Sequence, residues 1–241
     1  MKKNKILALV NPFFPKSYRR KIKMYLNGCV DFVDVVLKND CSYSLFFHPD
    51  IIGAKCGNFF VYSKNLNEKV LKVFRKLNVP TIEGMSFLRP EYPYDSYYNC
   101  FCENGLLVHR VDISDRKIKD YAERRNFRVL NVKQGYTKCS LLHLGNNVFV
   151  TDDESIHGVL SENFDVCLVG KGDILLDGYK YGFIGGASAW CEEYVFFFGD
   201  AKTHSDYEKI KSFIESLNLK IVSLGTGKLK DYGGIHFFET F

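Results

Sequence analysis

Lys138-Cys139-Ser140 is the stretch of this sequence with the clearest potential for covalent chemistry. A thiol attacks as its thiolate, and a neighbouring ammonium such as that of Lys138 favours this form. Cys139 also precedes the apolar run Leu141-Leu142 and the turn Gly145-Asn146-Asn147. There it reads equally as a small apolar residue opening a buried strand, since free cysteine is among the most buried residue types. Residue type leaves both readings open. The choice rests on what the fold brings beside Cys139.

The elements around it recur. The segments 58–82, 105–132 and 194–224 each read as an apolar strand, a polar turn with a helix-capping residue, a helix of about three turns and a β-branched strand. Residues 147–170 repeat the plan with a shorter helix. Tyr207, Ile210, Phe213, Ile214 and Leu217 fall at helical spacing, as do Leu66, Val70, Phe74 and Leu77, so each helix has one apolar face for a sheet. Turn residues at Cys56-Gly57-Asn58 and Asn104-Gly105 place a hairpin before the outer strands. Those strands are expected to begin near Phe59, Leu106, Val148 and Val195. Residues 6–36 supply outer strand, helix and final strand without a leading strand, and "GGIHFFETF" (233–241) supplies a strand with nothing after it. Complementary half-modules at the two ends predict an α/β fold of five ββαβ modules closed as a propeller, a single domain over 1–241. Closure would also remove exposed sheet edges.

Composition narrows the function classes. The chain has 241 residues, of which 46% are hydrophobic and 25% charged, an ordinary balance for a folded globular protein. No apolar run approaches the ~20 residues of a membrane helix. The apolar stretch Ile6 to Val10 is too short for a secretory core and meets Pro12, so a cytoplasmic protein is expected. Eight cysteines are too few for a disulfide scaffold in a chain this long. Cys100 and Cys102 form the one close pair, and the second pair of a zinc site is missing, so neither metal nor other cofactor is expected. The net charge of +5 is spread along the chain, and nucleic-acid binding is not expected.

The set "HPDI", "GYTKCS", "TDD", "GFIGGAS" and "YGGI", on five such modules, resembles the pentein superfamily of guanidino-group-modifying enzymes, in a branch known mainly by its fold. That superfamily includes deiminases, dimethylarginine hydrolases and amidinotransferases, together with a non-catalytic ribosome anti-association factor. The resemblance spans essentially the whole chain. It implies a nucleophilic cysteine near the C-terminus, where "YGGIHFFETF" has none. It also offers a rotated reading. The enzymes carry His-x-Asp at one module start and the cysteine two starts later, and here His48-Pro49-Asp50 precedes Cys139 by two starts.

In that reading Cys139 is the nucleophile and His48 the proton shuttle to a leaving amine. Asp50, with Asp95 as a second candidate, would receive the planar fork of a guanidinium. Lys138, Gly186 and His236 line the axial pocket in the same reading. The glycines of "IGGA" and "YGGI" lack the acid that the family carries there, and Asp231 and His236 lie nearby but substitute poorly for it. The function implied is a cysteine-dependent, hydrolase-like enzyme acting on a small guanidino or amidino compound. The alternative is a non-catalytic pentein that binds a small ligand or a protein. Thr151-Asp152-Asp153 reads as a turn and helix cap.

Overall fold

The structure, a computed structural model, describes residues 5–38 and 43–240. Its strands follow one plan, in which two antiparallel strands are followed by a helix and a third strand parallel to the second. First in the chain come β1 (Lys5–Val10), α1 (Lys16–Tyr25) and β2 (Val30–Asp34). The second copy is β3 (Gly53–Cys56), β4 (Phe59–Tyr62) and β5 (Thr81–Glu83), preceded by the single turn α2 (Pro49–Ile52) and crossed by α3 (Glu68–Lys76). The third is β6 (Phe101–Glu103), β7 (Leu106–His109), α4 (Arg116–Arg124) and β8 (Arg128–Asn131). The fourth is β9 (Leu141–His143), β10 (Phe149–Thr151), α5 (Glu154–Leu160) and β11 (Val166–Leu168). The fifth is β12 (Ser188–Cys191), β13 (Tyr194–Phe197), α6 (Tyr207–Ser216) and β14 (Lys220–Ser223). The last strand, β15 (His236–Thr240), pairs antiparallel with β1 and gives the first copy its missing strand.

Outer strands begin at Phe59, Leu106, Phe149 and Tyr194, within a residue of the expected positions. "HPDI", at its module start, leads into β3 as a helical turn. Pro49 sits in the first turn of α2, where its missing N–H leaves no bond unmade.

The chain packs as two compact units. The first comprises Met1–Pro12, Cys29–Thr137 and Ile235–Phe241, and the second Phe13–Gly28 and Lys138–Gly234. In the first, Phe60, Phe74 and Phe238 bring a strand, a helix and β15 together with ring centroids 5.1–5.6 Å apart. Offset and edge-on contacts of this kind add to the apolar burial. Its second and third copies join into one six-stranded sheet through β3 and β6 at one bridge, Cys56 opposite Cys102, both fully buried. In the second unit Leu142, Val150, Ile184, Phe197, Ile210 and Ile214 form the core, with Tyr207, Phe213 and Leu217 packed at its margin. The apolar faces read from helical spacing are therefore those that are buried.

Helix ends repeat a second signal. After α1, α3, α4 and α6 the chain turns through Asn27, Asn78, Asn126 and Asn218, each with φ between 51° and 59°. Asparagine tolerates this left-handed conformation and stops the helix.

At the start of α4, Asp115 is buried and does more than cap. Its carboxylate accepts from Lys117 N at 2.8 Å and from Met85 N and Ser86 N at 2.9 and 2.7 Å. One side chain thus fixes both a helix start and the 84–86 loop. Asp115→Ala is expected to lower stability by about 2–3 kcal/mol in denaturant titration, because three N–H groups lose their acceptor at once. Asn67 caps α3 through the single N–H of Lys69. Asn67→Ala is therefore expected to cost less, about 1 kcal/mol in the same titration.

Candidate functional site

In the first unit His48 and Asp50 are buried at 5% and 1% exposure. His48 is the residue before α2, and its carbonyl accepts from Ile51 N and Ile52 N. Asn99 donates from its side chain to the Asp50 carbonyl at 3.0 Å, tying the third module start to the second. His236 donates from Nε2 to the Gly53 carbonyl at 3.2 Å and lies by the Phe60 and Phe238 rings. The structure therefore gives His236 a defined bond at the end of α2.

Asp95 is buried and holds the Tyr136 hydroxyl at 2.6 Å on one carboxylate oxygen. Such a short O–H···O contact is typical of a charge-assisted bond. Its other oxygen, Oδ1, is buried without a partner. Burial raises the Asp95 carboxyl above the ordinary range, against the pull of the Tyr136 hydroxyl. A positive donor at Oδ1 would reverse that rise.

His109, at the end of β7, steadies the segment that carries Tyr136. A carbonyl oxygen only accepts, so Nε2 donates to Gly135 O at 2.9 Å and Nδ1 accepts from the Ser114 hydroxyl at 2.5 Å. Burial pushes the ring down to about 4, so it is neutral at neutral pH.

The second unit contains Cys139, Lys138 and Gly186. Cys139 is 4% exposed in the turn before β9. Its carbonyl accepts from Gly186 N at 2.9 Å. A Cβ on Gly185 would fall 2.5, 2.6 and 2.7 Å from the carbonyl oxygens of Lys138, Leu141 and Cys139. On Gly186 it would collide with the Asp231 carboxylate. Both glycines are required by close approach, so the nucleophile candidate sits against a backbone surface that only glycine allows. Lys138 places its ammonium 3.4 Å from the Leu141 carbonyl.

Asp231 lies against the glycines of "GFIGGAS". Its carboxylate accepts from Phe183 N at 3.0 Å and Gly233 N at 2.9 Å, bridging "GFIGGAS" to "YGGI". Its carboxylate thus ties these two loops together.

The Asp152-Asp153 doublet splits into two roles. Asp153 caps α5 as expected, accepting from Ser155 N and Ile156 N, and pairs with Lys171 at 3.0 Å. Asp152 does not belong to that turn. Its Oδ2 accepts from Ile184 N at 2.7 Å, and its buried Oδ1 has no partner. Burial pushes its carboxyl from 3.8 up to about 8. The Ile184 N–H and Lys171 pull it down, while Asp231 and Asp153 add to the rise.

Sequence reasoning missed Tyr136, His109 and Asp152. The doublet itself held a signal, since one acid suffices to cap a helix and the second needs another task. Among the described residues no group of three His, Cys, Asp or Glu side chains could hold a metal ion, and no helix is long and apolar enough to cross a membrane.

A family model described as a family of unknown function (DUF6873) matches residues 15–236. No curated protein matches the chain. Among solved structures, dimethylarginine dimethylaminohydrolase of Pseudomonas aeruginosa, in complex with citrulline, superposes with a TM-score of 0.54 at 11% identity, covering 92% of each chain. SxtG, an amidinotransferase from Microseira wollei in the saxitoxin biosynthetic pathway, gives 0.55 at 9% identity, covering 94% of this chain and 79% of its own. The N-terminal domain of ArgZ, an arginine dihydrolase from the cyanobacterial ornithine-ammonia cycle, gives 0.50 at 13%, covering 91% and 90%. The fold is that of the pentein superfamily.

The Asp152 geometry sets a pH dependence. A carboxyl titrating near 3.8 when unfolded and about 8 when folded keeps a proton that the unfolded chain gives up. Its contribution is full below about pH 4 and is lost as pH rises towards 8, at up to about 1.4 kcal/mol per unit. Asp152→Asn keeps an acceptor for Ile184 N without the titration. Thermal midpoints measured from pH 5 to 8 should therefore fall for wild type relative to D152N, and parallel curves would contradict the assignment.

Proposed function

Because the chain belongs to the family of unknown function DUF6873 and has the pentein fold, we propose that it is a cysteine-dependent, hydrolase-like enzyme acting on a small guanidino or amidino compound. The proposal takes the chain as one domain whose five modules close into a ring about an axial pocket. The observation that carries it is Asp95, a buried carboxylate with one oxygen fixed by Tyr136 and the other left for a donor. Burying a carboxylate without a full set of partners is unfavourable, and a guanidinium supplies both charge and N–H groups.

Cys139 is assigned as nucleophile and His48 as proton carrier. The Cys139 thiolate forms an S–C bond to the guanidinium carbon while the C–N bond to the departing amine breaks, and the amine leaves with a proton carried by His48. Water then adds to the same carbon, the S–C bond breaks, and a ureido product is released. In the transferase version of the chemistry a second amine replaces that water. Asp50 and Asp95 hold the cation, Lys138 favours the thiolate, and Gly186 and His236 shape the wall.

Burial of Cys139 at 4% exposure favours a second reading, a pentein that binds such a ligand without turning it over. Relatives described with citrulline or as amidinotransferases support the ligand class in both readings.

Incubation with a panel of guanidino and amidino compounds, quenched and analysed by mass spectrometry, separates them. The enzyme reading expects ureido or amidino-transfer product and an adduct on Cys139. Cys139→Ser should abolish both, and His48→Asn should slow turnover roughly 10²- to 10³-fold. Thiol labelling at neutral pH should modify Cys139 faster than the other seven cysteines. Binding without product, at equal labelling rates, would establish the binding-only reading.

A further inference from the structure

The hairpin that follows Cys139 ends in two polar side chains that each keep a buried atom unspent. In β9 and β10, Leu142 pairs with Val150 and Leu141 with Thr151. Continued by one step, this register sets Ser140 opposite Asp152, and residues so placed share a face of the hairpin. Ser140 Oγ and Asp152 Oδ1 are both buried without a hydrogen-bond partner. Such atoms are rare in folded proteins, and two on facing positions ask for a common explanation.

The neighbouring groups are already committed. The Thr151 hydroxyl donates to the Ser140 carbonyl at 2.7 Å. Lys171 is paired with Asp153, and Asp231 is held by Phe183 N and Gly233 N. The charged groups acting on Asp152 are thus two carboxylates, Asp153 and Asp231, and one lysine that is engaged elsewhere. The field favours a positive donor and opposes an anion. Ser140 adds an acceptor one residue from the nucleophile candidate.

We propose that Ser140 and Asp152 bind the N–H groups of a small guanidinium or amidinium cation next to Cys139, and that the cation displaces a proton from Asp152. This rests on the proposed function and adds to it a further carboxylate and a proton-coupled binding step. Burial keeps Asp152 protonated near neutral pH until the cation arrives, consistent with its raised carboxyl. The exchange is balanced: one positive charge enters and one proton leaves. The neutral apo form of Asp152 avoids gathering three charged carboxylates in one place.

Calorimetric titration of the full chain at pH 7, in phosphate and in Tris, tests this with methylguanidinium, acetamidinium and neutral methylurea as probes. Wild type should bind the two cations with release of close to one proton, seen as a buffer-dependent heat, and should bind methylurea at least tenfold more weakly. Asp152→Asn should lose tenfold or more in cation affinity together with the proton release. Ser140→Ala should lose affinity roughly threefold to tenfold and keep the release. Thermal midpoints of both variants confirm folding. Cation affinity unchanged in D152N, heats independent of buffer, or no wild-type binding of either cation would overturn the proposal. Cys139→Ser separates the two ideas, since it keeps Ser140 and Asp152. Binding by C139S with no turnover by wild type removes the catalytic reading alone. Turnover by wild type with binding indifferent to D152N removes this site alone.

Discussion

The approach of Gly185 and Gly186 to the backbone of residues 138–141 is the constraint on which the second unit's polar chemistry depends. Three carbonyl oxygens crowd the place of a Gly185 side chain, and a carboxylate crowds that of Gly186. Because the first are backbone atoms and the second is a carboxylate pinned by Phe183 N and Gly233 N, the loop and the turn are locked at one separation. Gly186 N then meets the Cys139 carbonyl, while its own carbonyl accepts from Tyr232 N and Gly234 N. The turn bearing Cys139 is thus positioned by main-chain geometry, which holds more tightly than a set of rotatable side chains.

Counted over both units, the chain buries more carboxylates than a core needs. Asp50, Asp95, Asp152 and Asp231 are each at most 3% exposed. Asp231 spends its oxygens on backbone N–H groups and so serves the frame. Asp95 and Asp152 each use one oxygen on a protein donor and keep the other buried and unspent. Both have carboxyls raised by burial, so each stores an unfavourable environment for its own charge. Perturbed carboxyls of this sort cluster at functional sites, which makes these two the candidates to examine.

Much of the fold was legible in the sequence because its signal is periodic. Val70, Phe74, Ile210 and Ile214 lie where helical spacing puts them, and the strand starts repeat within a residue of their expected positions. The asparagines at 27, 78, 126 and 218 repeat as well, each after a helix, and form a register of the repeat that apolar patterning did not reveal. The site was less legible. Asp50 and Asp95 stand out as acids at module starts, but Tyr136 and Asp152 have meaning only through partners that are far away in sequence, Asp95 and Ile184. Asp231 is far from Gly186 in the sequence, and only the fold brings its carboxylate against that glycine.

The pairing of β1 with β15 has a consequence for how the protein is made. Lys5 lies opposite Thr240, so β1 finds its antiparallel neighbour only when the whole stretch of chain between the two strands has been made. Residues 138–234, the greater part of the second unit, are contiguous and can gather their core while β15 is still being translated. Closing so long a loop late is slow, because its entropy is spent before the contacts form. During that interval β1 has β2 on one side and an open edge on the other, the kind of edge that recruits foreign strands. A nascent chain therefore carries this edge unguarded from the moment β1 and β2 have paired until β15 emerges to cover it.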